Sequence, residues 1–165
     1  MLGRSPAKPG EADVRGSPRQ KERGTRRVFV GVHERQLDER GRVALPSPFR
    51  ADLGEHCYLF IGDDGCVTVR SEESFQAQAA EVIELVRRGE VSRDRKRAFA
   101  SSAVHAAIDK QGRITLDGRL REHAGIEQQG AVMVLGSLDQ IEIWHPEAYR
   151  HSEQVGQQEI AGGAR

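Results

Sequence analysis

The sequence predicts a mixed α/β fold built from two copies of one strand-strand-helix-strand-strand unit. The first observation is a repeated motif, because the D-x-x-G-R arrangement of residues 38–42 returns at residues 109–113. The second is that each motif leads into a short apolar stretch of the kind found in half-buried strands. The third is that each copy continues into a short segment that ends in glycine, at Gly54 and Gly125, as helices commonly do. Together they indicate an internal duplication.

The first copy opens with an apolar run, VFVGV at residues 28–32, which predicts a strand. DERG at residues 38–41 predicts a turn, because glycine readily adopts the positive φ that such turns need. RVAL at residues 42–45 predicts the next strand. Ser47 is expected to cap a short helix that ends before Gly54.

Two further strands, YLFIG at residues 58–62 and CVTV at residues 66–69, flank an Asp-Gly hairpin turn. Ser71 is then expected to cap a longer helix. The apolar face of that helix follows helical spacing and consists of Phe75, Ala79, Val82, Ile83 and Val86.

The second copy follows the basic run RDRKR at residues 93–97 and repeats the order of elements. Asp117 is the expected N-cap of its short helix, and Pro146 is expected to begin a final helix that carries Tyr149. The polar, glycine-rich residues from 156 onward are expected to fray. The turn, strand, short helix and paired strands are predicted at DKQG (109–112), RITL (113–116), DGRLREHAG (117–125), AVMVLG (131–136) and IEIW (141–144).

Two constant offsets align the copies, and they differ by three residues because the second copy contains a short insertion. An offset of 71 pairs Asp38, Gly41, Arg42, Leu45, Arg50 and Gly54 with Asp109, Gly112, Arg113, Leu116, Arg121 and Gly125. An offset of 74 then pairs Gly62, Val67, Val69 and Phe75 with Gly136, Ile141, Ile143 and Tyr149.

Charge is distributed unevenly along a chain of 165 residues with zero formal net charge. Residues 1–27 contain eight Lys or Arg against three Asp or Glu, so they carry +5 and the remainder carries −5. A nucleic-acid partner would therefore have to be read by a local cluster of charge and not by a uniformly basic surface. Residues 1–27 have few large apolar groups and are expected to be disordered, or else translation begins at Val28.

Cysteine and hydropathy patterns point to a soluble protein of the reducing cytoplasm. Cys57 and Cys66 form no C-x-x-C pair and lie near no histidine at zinc spacing. No apolar run suits a secretory signal or a membrane span. We expect no membrane association.

The repeated D-x-x-G-R motif has two interpretations. In the structural one, Asp caps the turn, Gly permits it and Arg pairs with Asp across it. In the functional one, an arginine at the first strand position of both copies reads a ligand, because the turn itself does not need that arginine. Guanine offers O6 and N7 as paired acceptors, and the arginine fork meets both at once. Arg40 and Lys110 would then contact flanking phosphates, while Asp38 and Asp109 orient the arginines.

The stretches FVGVHERQLDERGRVALPSPFRADLG and FASSAVHAAIDKQGRITLDGRLREHAGI resemble the two half-motifs of the MraZ family of bacterial transcriptional regulators. Each half is similar to an AbrB-type swapped-hairpin domain. The resemblance extends from Val28 to about Arg150. Arg40 stands where the family pattern usually has Lys, Asp117 stands where it has Pro, and residues 1–27 lie outside the pattern.

This resemblance implies a mixed α/β fold of duplicated AbrB-type swapped-hairpin β-barrel units with flanking helices. We expect the units at residues 32–75 and 103–147, connecting helices at 76–102, and a C-terminal helix with a frayed tail at 148–165. The implied function is sequence-specific binding of double-stranded promoter DNA by a ring-shaped homo-oligomer on the nucleoid. The implied outcome is repression of the division and cell-wall gene cluster that includes the regulator's own gene. The expected DNA-binding residues are Asp38, Arg40, Gly41, Arg42, Asp109, Lys110, Gly112 and Arg113.

Two other classes of function are weaker. An enzyme is disfavoured, because no nucleophile lies in a recognisable motif and the histidines lack metal spacing; no catalytic residue, metal, cofactor or small-molecule substrate is expected. An AbrB-like antitoxin or protein-interaction module is disfavoured by the fusion of two units and the short C-terminal tail. The RDRKR run is either a nucleic-acid patch or a solvated helix face. The scattered histidines include His33, His105, His123, His145 and His151.

Overall fold

A computed structural model describes Gly3 and residues 28–163, and the order of elements in its second half repeats that in its first. Disorder predicted for residues 1–27 falls outside the described residues, apart from Gly3. The first half contains β1 (Val32–Gln36), β2 (Arg42–Ala44), α1 (Ser47–Leu53), β3 (His56–Ile61), β4 (Val67–Ser71) and α2 (Glu72–Arg87). A connecting helix, α3 (Arg93–Ser102), leads into β5 (Val104–Ala107), β6 (Arg113–Thr115), α4 (Gly118–Ala124), β7 (Ala131–Ser137), β8 (Gln140–Trp144) and α5 (Pro146–Gly162). The fold is mixed α/β, as predicted.

The strands form one six-stranded sheet in the order β1-β7-β8-β4-β3-β5, with every pair antiparallel. Exchanging the equivalent strands of the two copies reverses this order and leaves it otherwise unchanged. The hairpins β3–β4 and β7–β8 meet at the centre, while β1 pairs with β7 and β5 pairs with β3. Each copy therefore completes its sheet with the first strand of the other copy. The order is open at both ends, so no closed barrel is found in the described residues.

A separate two-stranded ribbon joins the copies at the repeated motif. Strand β2 pairs with β6 in antiparallel register, with Arg42 opposite Thr115 and Ala44 opposite Arg113. Each strand begins directly after one D-x-x-G-R turn, so the turns lie at opposite ends of the ribbon. The backbone pairing extends past the strands, since Leu45 N donates to Gly112 O at 2.9 Å and its equivalent, Leu116 N, donates to Gly41 O at 2.9 Å.

The hydrophobic core is shared by both copies and lies between the ribbon, the short helices and the sheet. Its equivalent members are fully or almost fully removed from water, so neither copy can bury its apolar residues alone. They include Val43 with Ile114, Leu45 with Leu116, Val67 with Ile141, and Val69 with Ile143.

Local capping rules hold at two helices and fail at one. Ser71 Oγ accepts from Ser74 N at 3.2 Å and Asp117 Oδ1 accepts from Leu120 N at 2.9 Å, so both predicted N-caps are confirmed. The prediction for Ser47 is wrong. Pro46 occupies the N-cap position of α1, and the Ser47 hydroxyl instead lies 3.5 Å from Arg50 Nη2.

Three boundaries differ from the sequence prediction. The run VFVGV contributes only its last residue, Val32, to the first strand, because Gly31 has a φ of +88° and interrupts the extended backbone. Ahead of Gly31, Phe29 forms an isolated bridge to Leu138. Strand β1 lies further on, in a polar segment without apolar alternation. The repeat implied a first strand in the second copy, but no residues were assigned to it, since the four residues of β5 give little signal without their partner β3. Helix α5 continues to Gly162 through residues expected to fray, where Gln, Glu and Ala favour helix locally.

Candidate nucleic-acid interface

The first D-x-x-G-R motif forms a tight turn in which Asp38 binds the backbone that follows it. Asp38 Oδ1 accepts from the amide nitrogens of Arg40 and Arg42, both at 2.9 Å. Asp38 Oδ2 accepts from Arg42 Nε at 2.8 Å. Gly41 has a φ of +73°, which a residue without Cβ adopts at little cost. The aspartate therefore builds the turn and at the same time holds one edge of the Arg42 guanidinium.

The second motif repeats this geometry. Asp109 Oδ1 accepts from Gln111 N at 2.9 Å and from Arg113 N at 2.8 Å, while Asp109 Oδ2 accepts from Arg113 Nε at 2.9 Å. Gly112 has a φ of +76°. The structural interpretation of the motif is thus confirmed in both copies. It leaves the terminal nitrogens of each arginine as the donors that a ligand would meet.

Hydrogen bonding lowers the pKa of both aspartates from the ordinary value of 3.8. The largest cause is the backbone N–H of Arg42 for Asp38 and that of Arg113 for Asp109, with partial desolvation opposing it. Both carboxylates are therefore ionised at neutral pH. An ionised carboxylate holds its arginine in one orientation and reduces the net positive charge of the turn.

Both arginines lie on one face of the β2–β6 ribbon. Val43 and Ile114 pair at its centre and are buried, so their neighbours Arg42 and Arg113 lie on the opposite face. Their two-residue offset across antiparallel strands places the Cα atoms roughly 8 Å apart. Arg113 Nη1 lies 3.6 Å from Asp38 Oδ2, across the junction of the copies. The fold therefore joins two motifs, 71 residues apart in the chain, into one surface.

Two further arginines, Arg50 and Arg121, lie against the turns, and each comes from the opposite copy. A Cβ at Gly41 would lie 2.6 Å from Arg121 Nη1 and 3.1 Å from Leu116 O. A Cβ at Gly112 would collide with the Arg50 side chain. Glycine is therefore required at both positions for two reasons, namely the positive φ and the close approach of an arginine side chain. The sequence repeat pairs Arg50 with Arg121, but it gives no sign that either contacts a turn of the other copy.

All eight sequence-predicted site residues lie on the two turns or at the first positions of β2 and β6. Arg40 and Lys110 are exposed on the turns, whereas Arg42 and Arg113 have side chains that are 26 % exposed. Arg42 and Arg113 are the pair that the fold brings together at the ribbon.

Other reactive or charged groups have structural surroundings. Burial raises the pKa of both Cys57 and Cys66 to about 12, so these thiols are protonated and poor nucleophiles. In the RDRKR run, Arg95 pairs with Asp63 at 2.9 Å and Arg97 pairs with Asp94 at 2.8 Å. These pairs favour the solvated-face interpretation of the run. In the part of the chain that the structure describes, no group of three or more His, Cys, Asp or Glu could hold a metal, and no helix could span a bilayer.

Comparison with known proteins agrees with this two-part architecture. A family model described as "MraZ protein, putative antitoxin-like" matches the chain twice, over residues 28–98 and 99–161. The chain belongs to the MraZ family. The two matches correspond to the two copies of the repeated unit, and the motif of each copy lies inside one match.

Relatives in the MraZ family are similar over most of their length. A protein of Lachnoclostridium phytofermentans is 36% identical over 134 residues, covering 81% of this chain and 93% of that protein. One of a Thermoanaerobacter species is 37% identical over 137 residues, covering 81% and 94%. One of Kocuria rhizophila is 39% identical over 127 residues, covering 74% and 85%. All three are named Transcriptional regulator MraZ. Membership in this family confirms the prediction that the chain is not an enzyme.

Proposed function

We propose that this protein is a sequence-specific DNA-binding transcriptional regulator that places its β2–β6 ribbon in the major groove of double-stranded promoter DNA. The observation that carries the proposal is a pair of arginines, Arg42 and Arg113, held by aspartates on one face of the ribbon. The name shared by its relatives, Transcriptional regulator MraZ, supports the same class of function.

The dimensions of the ribbon suit one groove. A major groove about 12 Å wide admits a two-stranded ribbon. The roughly 8 Å between the Cα atoms of Arg42 and Arg113 spans slightly more than two base-pair steps of about 3.4 Å each. We therefore expect the recognised sequence to contain two guanines, two or three base pairs apart, that both arginines read from the same groove.

Each part of the repeated turn has a role in this arrangement. The Nε edges of Arg42 and Arg113 are bound by carboxylates, so their terminal nitrogens supply the two parallel donors that guanine O6 and N7 accept. Asp38 and Asp109 act by positioning, because direct contact between a carboxylate and DNA phosphate would be repulsive. On the turns themselves, Arg40 and Lys110 contact phosphates, while Gly41 and Gly112 keep the turns compact.

Several subunits act together in this proposal. Few cations per subunit face DNA, and the described body has excess acidic charge, so one subunit binds weakly and salt weakens it further. A ring of AbrB-type units, at residues 32–75 and 103–147 of each chain, would present the ribbon repeatedly and gain from effective concentration. The strand exchange between copies supports the swapped-hairpin assignment. Four apolar side chains along the β1 edge are 42–61% exposed, and a second copy of the chain would cover them. They are Val28, Val30, Val32 and Leu138.

The proposed target is the promoter of the division and cell-wall gene cluster that contains the protein's own gene, and the proposed outcome is repression on the nucleoid. Footprinting of the purified full chain on DNA upstream of its gene tests this. Protection of direct repeats about one helical turn apart supports the proposal, since successive ribbons then meet the same side of the duplex. Uniform protection, or none, would overturn it.

A second candidate, an antitoxin that neutralises a partner protein, is favoured by the words "antitoxin-like" in the family description. It predicts a tight complex with the product of a neighbouring gene and no requirement for Arg42 or Arg113 in that complex. Co-expression with that product tests the antitoxin candidate. A tight complex together with the absence of a footprint on the promoter would favour it over the DNA-binding proposal. The paired arginines favour DNA.

A further inference from the structure

The two ends of the ribbon carry different charges, although their turns have the same shape. Glu39 of the first turn corresponds to Lys110 of the second, and Arg40 corresponds to Gln111. Residues 38–42 are therefore neutral overall, whereas residues 109–113 carry +1. A polyanion approaching the ribbon would meet a more favourable potential at the second turn.

The surroundings of the two turns also differ, because of the three-residue insertion in the second copy. Residues 127–130 of that copy lie against the first turn, where Gln128 Nε2 donates to Glu39 O at 3.3 Å. The nearby bond from Leu37 N to Gly130 O at 3.0 Å has a counterpart beside the second turn, from Ile108 N to Glu55 O at 2.9 Å, so the contact made by Gln128 is the one that differs. The first copy lacks the insertion, and Glu55 alone separates Gly54 from β3, which begins at His56. An open cleft of about 640 Å³ lies beside the second turn.

Cationic side chains line this cleft. Arg50 of α1 and Lys110 of the second turn face it together with His56. The carboxylates that line it are Glu55 and Asp109, and Asp109 is paired with Arg113 at 2.9 Å. Arg50 and Lys110 thus outweigh Glu55, and the cleft has net positive charge next to the proposed reading arginine.

The equivalent arginines Arg50 and Arg121 differ in their bonding. Arg121 Nη1 donates to Leu116 O at 2.6 Å, so its guanidinium is tied to the backbone of its own copy. Arg50 makes instead a 3.5 Å contact from Nη2 to Ser47 Oγ, in a position where the second copy has Gly118. A long bond to a surface hydroxyl is readily exchanged for a bond to an anionic oxygen.

We propose that Arg50 and Lys110 together hold one backbone phosphate of the bound DNA in the cleft beside the second turn, whereas Arg121 braces the first turn and contacts no phosphate. The two halves of the ribbon then contribute unequally to affinity, and the bound duplex is fixed in one orientation on each subunit. This inference rests on the proposed DNA-binding function. It adds a phosphate contact and a polarity that the symmetric repeat does not predict.

The test compares the salt dependence of binding for the full chain and its variants on a short duplex that contains one protected repeat. The slope of log K against log salt is negative, and each lost phosphate contact reduces its magnitude by about 0.9; the slopes compared below are these magnitudes. Arg50→Gln should lower the slope by about this amount, and Arg50→Lys should restore it because Lys also binds phosphate. Arg121→Gln is the matched control, and it should lower the melting temperature while leaving the slope unchanged.

A double variant tests whether both side chains hold the same phosphate. If they do, Arg50→Gln with Lys110→Gln should lower the slope no more than about 0.9, because one contact is lost. An additive loss of about twice that value would overturn the shared site. Equal slopes for Arg50→Gln and the parent, or equal slope losses in the Arg50 and Arg121 variants, would overturn the asymmetry. A parent protein that binds no repeat at all would instead refute the proposed function.

Discussion

Replacing Arg42 or Arg113 by alanine should separate binding from stability. Each arginine pairs with an aspartate four residues earlier, and both partners are partly exposed, with side-chain exposures of 26% and 29% for Arg42 and Asp38. Such pairs typically contribute less than about 1 kcal/mol to the free energy of unfolding. That corresponds to a loss of less than about 5 °C in Tm for a chain of this size.

The expected loss of DNA affinity is larger. One bidentate arginine–guanine contact provides about 1–3 kcal/mol of discrimination, which corresponds to about 5- to 150-fold in affinity for a single subunit. Every subunit of an assembly carries the substitution, so the loss multiplies over the subunits that engage DNA. Arg42→Lys should keep the general attraction to DNA and lose the preference for guanine, because ammonium cannot bind two acceptors in the same plane.

Fluorescence anisotropy with labelled promoter repeats and melting curves on the same preparations check these expectations. Arg87→Ala is a matched control, since Arg87 also pairs with an acidic residue on its own element, at 3.8 Å from Glu84, and is 74% exposed. The control should change neither quantity. Arg42→Ala or Arg113→Ala proteins that melt far earlier than the control, or that bind the repeats as tightly as the parent, would refute the reasoning and leave the arginines as turn-stabilising partners only.

Four other outcomes follow from the structure. Gly41→Val should cost at least about 1–2 kcal/mol of stability and also weaken DNA binding, because φ is +73° and Arg121 lies against the turn; a variant that melts like the parent would contradict this. The carboxylates of Asp38 and Asp109 have a lowered pKa, so they stabilise the fold above pH 3.8 and this contribution is lost as pH falls below it. The difference in Tm between the parent and the double variant Asp38→Asn with Asp109→Asn should therefore become smaller in acid. A difference that stays constant would argue against the hydrogen bonds of these carboxylates as its cause. A chain that begins at Val28 should fold and choose among DNA sequences like the full chain, with weaker non-specific binding after loss of the +5 charge; melting curves and competition with unrelated DNA test this, and lost selectivity would refute it. Light scattering at micromolar concentration should give a mass above that of a dimer, and a monomer that still protects repeats would refute multivalent binding.

The success of the sequence analysis depended on how local each feature is. The D-x-x-G-R turns were predicted because every hydrogen bond accepted by the Asp38 side chain comes from within four residues, so the sequence contains the whole turn. The caps at Ser71 and Asp117 are local in the same sense. Ser47 does not cap α1 because the preceding residue, Pro46, occupies the N-cap position. Helix α5 extends further than predicted because its polar residues are good helix formers.

The sequence by itself thus determined the duplication, the chemistry of the two turns and the family. Tertiary structure decided which strands pair, because pairing across about 70 residues is selected by burial of a shared core and not by local preference. That selection placed Arg42 and Arg113 on one ribbon and brought Arg50 and Arg121 across to the turns of the opposite copies. It also set residues 127–130 against the first turn and left a cleft beside the second. A repeat in sequence predicts equal halves, whereas three inserted residues and charge differences at two turn positions, Glu39 against Lys110 and Arg40 against Gln111, make the two ends of this ribbon physically different.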